Sequence, residues 1–248
     1  MEDIDTLVID QQTKTLRPTE TKEVSGLESE IVARLAALAR HDTETIRTIR
    51  REFSARLAKT PPRLIIALAL NLTRSEKVPR FFAYELVHHH AAALGSLEAK
   101  SLQDLGHDID NWGAVDAFAC YLAGPSWREQ QVSDALIRRW ARAPDRWWRR
   151  AALVSTVALN SKARGGSGDT VRTLMICEMM TDDRDDMVVK ALSWALRELS
   201  KRDPDSVRKF LREHEGVLAL RVAREVKRKL QTGLKNPRPR RIQRGSGS

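Results

Sequence analysis

Apolar residues recur along this chain at intervals of three and four, the spacing of one helix face, and no segment alternates with the two-residue period of a strand. Leu27, Ile31, Leu35 and Leu38 mark the first such face, and Ser25-Gly26-Leu27-Glu28 before it reads as a capping box. The same grammar repeats. Asp42 precedes Ile46, Ile49 and Phe53; Thr60 with Pro61 precedes an apolar run from Leu64 to Leu72; Pro79 precedes Phe82 and Leu86, in a helix expected to end at Gly95. Asp110 or Asn111 can cap a helix running through Tyr121, which Gly124-Pro125 is expected to end, and Ser126-Trp127-Arg128-Glu129 reads as a second capping box. Beyond the break at Pro144-Asp145, helices are predicted over 146–160, 170–181, 185–201, 204–214 and 217–231, with Asp203-Pro204 placing proline at a first helical position.

This pattern predicts an all-α protein. Helix pairs returning at roughly 35–45 residues fall in the range of α-solenoid repeats, in which each pair buries its apolar side on its neighbours. Residues 1–24 are polar, acidic and aperiodic, and read as a mobile leader. The repeat domain is expected over 25–233, and 234–248 reads as a basic flexible tail closing in a Gly-Ser linker. Gly165-Gly166-Ser167-Gly168 reads as the most flexible interior connection. It is not a phosphate loop, since no strand precedes it and no Gly-Lys-Ser/Thr follows.

Charge narrows the partner. The 248 residues carry a net charge of +10, yet residues 1–30 sum to −5, so the remainder carries +15. Such a body suits a polyanion, with DNA or RNA ahead of an anionic membrane surface; a merely well-solvated surface is the plainer alternative. No apolar run reaches the roughly 18 residues that a membrane span needs, and the acidic start lacks the basic-then-apolar pattern of a signal peptide. Cys120 and Cys177, far apart and among apolar residues, read as buried free thiols, which suits a reducing cytoplasm. The run His88-His89-His90 cannot point one way on a helix and has no companion ligands at zinc spacing, so no metal is expected. Nucleophile-elbow, kinase and dinucleotide motifs are absent, so no nucleotide cofactor is expected either.

The distinctive chemistry lies in three pairs in the second half: Trp112 with Asp116, Trp147 with Arg150, and Trp194 with Arg197. Each pair is spaced to share a helix face, setting an aromatic plane beside a charge. Taken singly, each is more simply a tryptophan filling core beside a solvated charge. Arrayed on a basic solenoid, they fit a DNA groove, with arginines on phosphates and indoles against a sugar or base.

Three stretches resemble the AlkD-like family of DNA alkylation-repair glycosylases, which are built of HEAT-like helical repeats. They are Asn111-Trp112-Gly113-Ala114-Val115-Asp116, Arg149-Arg150-Ala151-Ala152, and Lys190-Ala191-Leu192-Ser193-Trp194-Ala195-Leu196-Arg197-Glu198, within a similarity running from about Pro79 to Thr232. The resemblance implies a HEAT-like solenoid with a basic concave face that hydrolyses the N-glycosidic bond of cationic N3- or N7-alkylated purines. It further implies a monomer acting on double-stranded DNA with no cofactor. Carried over by position, it makes Asp116 the catalytic carboxylate and Trp112 and Trp194 its aromatic walls, with Arg150 and Arg197 on the groove or phosphates. Trp147, Arg149 and Lys190 join them as expected DNA-binding residues. Where many relatives carry a tyrosine on an N-terminal helix, Phe53 could supply the ring without the hydroxyl. The competing readings are a non-catalytic binder of distorted or branched DNA and a protein-interaction solenoid.

Overall fold

The computed structural model describes residues 16–234, and among them every regular element is helical. The chain divides into two compact units, Met1–Ala93 and Leu94–Ser248. Most of the expected leader and tail, residues 1–15 and 235–248, lies outside the described residues.

The first unit holds α1 (Pro18–Ala36), α2 (Thr43–Arg56), α3 (Pro62–Arg74) and α4 (Arg80–His88). α1 packs on α3, α2 on α4, and α3 on α4, so the pairs stack in two rows. Ile31, Ile49, Phe53, Leu68, Leu72 and Phe82 form its core, with the Phe53 and Phe82 rings edge to face at 6.4 Å. Asp42 caps α2 as expected, accepting from the Thr45 amide.

α1 starts eight residues earlier than the Ser25 capping box predicts, with Arg17 and not Ser25 at its N-cap. Pro18 supplies a preset φ at the first turn, and the Glu20 carboxylate accepts from the Arg17 backbone amide at 3.0 Å and its guanidinium at 2.9 Å. Arg63 of α3 closes on the same carboxylate. Cap chemistry therefore extends the helix ahead of the apolar stripe. Ser25 lies inside that helix, and its carbonyl accepts from the Ser29 hydroxyl. At the other end of the unit, α4 stops at His88 instead of Gly95. The His90 ring accepts the Ala93 amide at 3.0 Å and starts a separate turn, α5 (Ala91–Gly95).

The second unit comprises α6 (Ala99–Leu105), α7 (Trp112–Phe118), a π-helical turn (Ala119–Ala123), α8 (Gly124–Arg128), α9 (Asp134–Ala141), α10 (Arg146–Asn160), α11 (Thr170–Glu178), α12 (Asp186–Leu199), α13 (Pro204–Glu213) and α14 (Leu220–Thr232). α7, α10, α12 and α14 pack each on the next, while α9, α11 and α13 flank them in a second row. This is a solenoid-like arrangement of two helical layers. Asp145, Asp169, Asp185 and Asp203 each accept an amide at the start of α10, α11, α12 and α13, which explains why these ends were predictable to within a few residues.

Three expectations in this unit are corrected. Gly124-Pro125 does not end a helix, because the π turn rephases the backbone and brings Pro125 to the start of α8, where no amide hydrogen is needed. A Cβ on Gly124 would lie 2.5 Å from Ala158 Cβ and 2.7 Å from the Ser155 carbonyl oxygen, so only glycine lets this bend sit against α10. Ser126 is accordingly a buried helical residue and not a cap. The loop at Gly165–Gly168 is also pinned where flexibility was expected. Arg128 donates to the Arg164 carbonyl at 2.7 Å, Arg202 to the Gly166 carbonyl at 2.8 Å, and the Gly168 amide to the Leu159 carbonyl at 3.0 Å.

Candidate functional site

The site begins with a cap. The Asn111 side chain accepts the Ala114 amide at 2.9 Å, which fixes the first turn of α7 and puts Trp112 at its outer end, 61 % exposed. One turn on, the Asp116 carboxylate accepts two parallel hydrogen bonds from Arg150 of α10, Nε to Oδ1 at 2.9 Å and Nη2 to Oδ2 at 2.8 Å. The third arm of that guanidinium, Nη1, donates to the Met187 carbonyl in the first turn of α12 at 2.6 Å. A single side chain thus ties α7, α10 and α12 together behind one carboxylate, in the bidentate geometry that holds an anion most firmly.

Access to this pair is one-sided. Arg150 is 6 % exposed in its side chain and Asp116 18 %, so the carboxylate keeps an open edge while its partner is sealed. Burial raises the Asp116 pKa above the usual aspartate value, and the two hydrogen bonds from Arg150 work against that rise. The carboxylate is therefore preorganised and only thinly solvated.

The remaining aromatics divide. Trp147, in the first turn of α10, is half-buried with the Arg146 guanidinium 4.8 Å from its ring centre. Trp148 turns inward against Trp140 at 4.8 Å and Phe118 at 6.0 Å, and it was not singled out from the sequence. Its signal is Gly106, where a Cβ would come within 2.6 Å of the indole. Trp194 of α12 is half-buried and stands seven residues, about two turns, beyond Met187, so both lie on the same side of that helix. Between α7 and α10 the cleft beside Val115, Phe118, Trp147 and Trp148 has no room for a water-sized sphere.

The expected phosphate ligands fare unequally. Arg150 is spent on Asp116 and Met187, so its geometry is that of a positioning group and not of a surface cation. Arg149 is likewise turned to structure, donating to Asp183 at 2.7 Å and to the Ala143 and Pro144 carbonyls at 3.0 and 2.7 Å. In both cases the inward turn could not be read beforehand, because charge alone does not tell which way consecutive residues on a half-buried helix face. Lys190 is half-exposed and pairs along α12 with Asp186 at 2.5 Å. Arg197 donates Nε to the Ser193 hydroxyl at 3.2 Å and stands 3.9 Å from Glu225, and burial lowers its pKa. Phe53 is 2 % exposed within the first unit's core and offers no ring to a ligand.

Other groups lie outside this arrangement. Cys120 and Cys177 are free and buried, and burial pushes the Cys120 thiol up to about 12. Among the described residues no cluster of three or more His, Cys, Asp or Glu is placed to hold a metal ion. Nor is any helix there long and apolar enough to cross a membrane.

A family model described as DNA alkylation repair enzyme matches residues 41–230, a span that takes in every residue of the site. A search of curated sequences finds no match. Among solved structures, the crystal structure of smu.31 from Streptococcus mutans UA159 is similar with a TM-score of 0.54 and 17 % identity. The match covers 84 % of this chain and 97 % of that one. At such identity the likeness is one of fold.

Proposed function

The chain belongs to the family of DNA alkylation repair enzymes, and we propose that it is a monofunctional DNA glycosylase that hydrolyses the N-glycosidic bond of N3- or N7-alkylated purines in duplex DNA. The observation that carries this reading is the Asp116 carboxylate, gripped by the Arg150 fork and left open beside the exposed Trp112. On this reading the helix pairs are HEAT-like repeats, and the row α7, α10, α12 is the one that meets DNA.

The chemistry fits the residues without a general acid. A purine alkylated at N7 or N3 is already cationic and departs as a neutral base, so its leaving nitrogen needs no proton. The bond electrons go to the base, and positive charge develops on the sugar as an oxocarbenium-like ring. A fixed carboxylate opposes that charge, orients the attacking water and lets the proton of that water pass to solvent. The Trp112 and Trp194 indole faces add cation–π attraction of about 0.5–2 kcal/mol each. Arg150 acts through Asp116: it fixes the carboxylate's direction and keeps it ionised.

The test is a pair of single-turnover assays on one duplex sequence, carrying either one N7-alkylguanine or one uracil. Release of the alkylguanine with little release of uracil is expected, because only the cationic base leaves unaided. Comparable rates on the two would require a leaving-group acid and contradict the mechanism. Binding of the alkylated duplex with no base released would favour a non-catalytic DNA binder on the same scaffold.

A further inference from the structure

With Arg149 and Arg150 occupied by protein groups, the phosphate ligands of the second unit must be sought elsewhere. Most of its arginines have partners: Arg128, Arg172, Arg184, Arg202 and Arg221 each donate to carbonyls or carboxylates. The side chains of Arg212 on α13 and of Arg224 and Arg228 on α14 also make no hydrogen bond or ion pair among the described residues, but the last turn of α9 sets three such arginines close together. Arg138, Arg139 and Arg142 are all exposed, and among the described residues none of their side chains makes a hydrogen bond or ion pair. Asp134, the carboxylate on that helix, is engaged by the Trp127 indole N–H at 2.7 Å. Asp145, across the turn, is engaged in capping α10.

From this we propose that Arg138, Arg139 and Arg142, at the end of the flanking helix α9 where the chain turns into the DNA-facing row at α10, form a ridge that grips the phosphodiester backbone of duplex DNA at the edge of the candidate site. The inference rests on the proposed function for its ligand and deepens it by naming where the backbone is held. Placement supports it. The ridge runs into Ala143-Pro144-Asp145 and from there to Arg146 and Trp147 at the head of α10. Arg149 locks that turn through the Ala143 and Pro144 carbonyls, so the ridge is rigidly joined to the helix that carries Arg150. Spacing supports it as well. Arg138 and Arg142 are separated by about 6 Å of helical rise, and phosphates of one strand advance about 3.4 Å each along the duplex. The two guanidiniums therefore reach different phosphates, and each can bind bidentately.

A plainer account exists, since cations at a helix C-terminus are favoured by the helix dipole. That account predicts a small loss of stability and unchanged DNA binding when the arginines are removed. The deciding experiment measures affinity for an undamaged duplex against salt for the full chain, the triple variant Arg138→Gln/Arg139→Gln/Arg142→Gln, and a control, Arg208→Gln/Lys209→Gln/Lys227→Gln. The control removes the same charge from exposed side chains that already have carboxylate partners. For the ridge variant, the log–log salt slope should flatten by about two to three units, and for the control it should stay near the wild-type value. An unchanged slope in the ridge variant would overturn the proposal, as would equal flattening in the control, which would reduce the effect to net charge. Undamaged DNA is used so that base release plays no part. A wild-type protein that released no alkylpurine while the ridge effect stood would sink the glycosylase reading and leave the ridge intact.

Discussion

Each unit of this protein buries a carboxylate against arginine, and the difference that matters for a ligand is how open that carboxylate is. In the first unit, Glu85 of α4 accepts from Arg47 at 2.8 and 2.6 Å and faces Arg50 at 3.3 Å, with its side chain 2 % exposed. In the second, Asp116 takes the Arg150 fork at similar distances but keeps 18 % of its side chain open, one turn from an outward tryptophan. The chemistry of the two pairs is alike; the access is not. A sealed pair can only fix helices, whereas an open one can also present charge to a ligand. The contrast teaches that the candidate site is defined by its uncovered edge and not by its ion pair.

The sharpest break would come from neutralising each carboxylate in turn. Glu85→Gln leaves the buried Arg50 without its carboxylate and takes one partner from the half-exposed Arg47, and loss of one partner from a buried pair costs about 3–5 kcal/mol. Denaturant unfolding should show that loss, with the excision rate per folded molecule unchanged. A stable Glu85→Gln protein with altered excision would erase the distinction between the clusters.

Asp116→Asn should also cost stability, because it leaves the buried Arg150 without its anion, but unlike Glu85→Gln it should lower excision per folded molecule as well. The amide keeps the shape and fills the same space, yet loses the charge that opposes the cationic sugar, so excision of N7-alkylguanine should drop about 10²–10³-fold. Affinity for the duplex should hold, as read by equilibrium binding. Wild-type rates in single-turnover assays would remove Asp116 from the mechanism.

How far the sequence disclosed this contrast can be traced to particular residues. Asp42, Asp145 and Asp203 showed helix starts because capping is local chemistry, readable from neighbouring residues. Trp112 and Asp116 were legible because four-residue spacing puts them on one face. The partners of Arg149 and Arg150 were not legible, because their inward turn depends on Asp183, Asp116 and Met187, all more than thirty positions away. The π turn at Ala119–Ala123 was hidden for the same reason: Gly124 is there to meet α10, and only the packed fold shows that. The α9 arginines looked like any basic surface until the partners of the others were known.

A subtler probe alters Arg150 while leaving Asp116 in place. In the proposed mechanism the carboxylate must be ionised, so the rate should fall as pH drops through its pKa, and burial moves that acid limb upward from the usual aspartate value. Arg150 opposes the rise. Arg150→Lys keeps a charge but loses the fork and the bond to Met187, so the Asp116 pKa should climb further and the limb should move to higher pH. The pH profile of single-turnover rates checks this. An unmoved limb would mean that Arg150 does not tune the carboxylate.

The smallest expected effect belongs to Arg197, and it asks whether an arginine near the site can still reach DNA. Its nearest carboxylate, Glu225, lies 3.9 Å away and is itself claimed by Ser193 at 2.7 Å and Arg221 at 3.0 Å. Burial lowers the Arg197 pKa, but a guanidinium stays charged at neutral pH even so. Only its Nε is engaged, by Ser193, so its terminal nitrogens can swing toward a phosphate without breaking a strong pair. Arg150 has no such freedom. Arg197→Ala should therefore flatten the log–log salt dependence of duplex binding by about one unit, whereas Arg150→Lys should leave that slope alone. Titrations of both variants against one undamaged duplex make the comparison. An unchanged slope for Arg197→Ala would place this residue with Arg150 and Arg149 among the arginines that hold the fold, and shift the search for backbone contacts to cations without a partner, such as those of the α9 ridge.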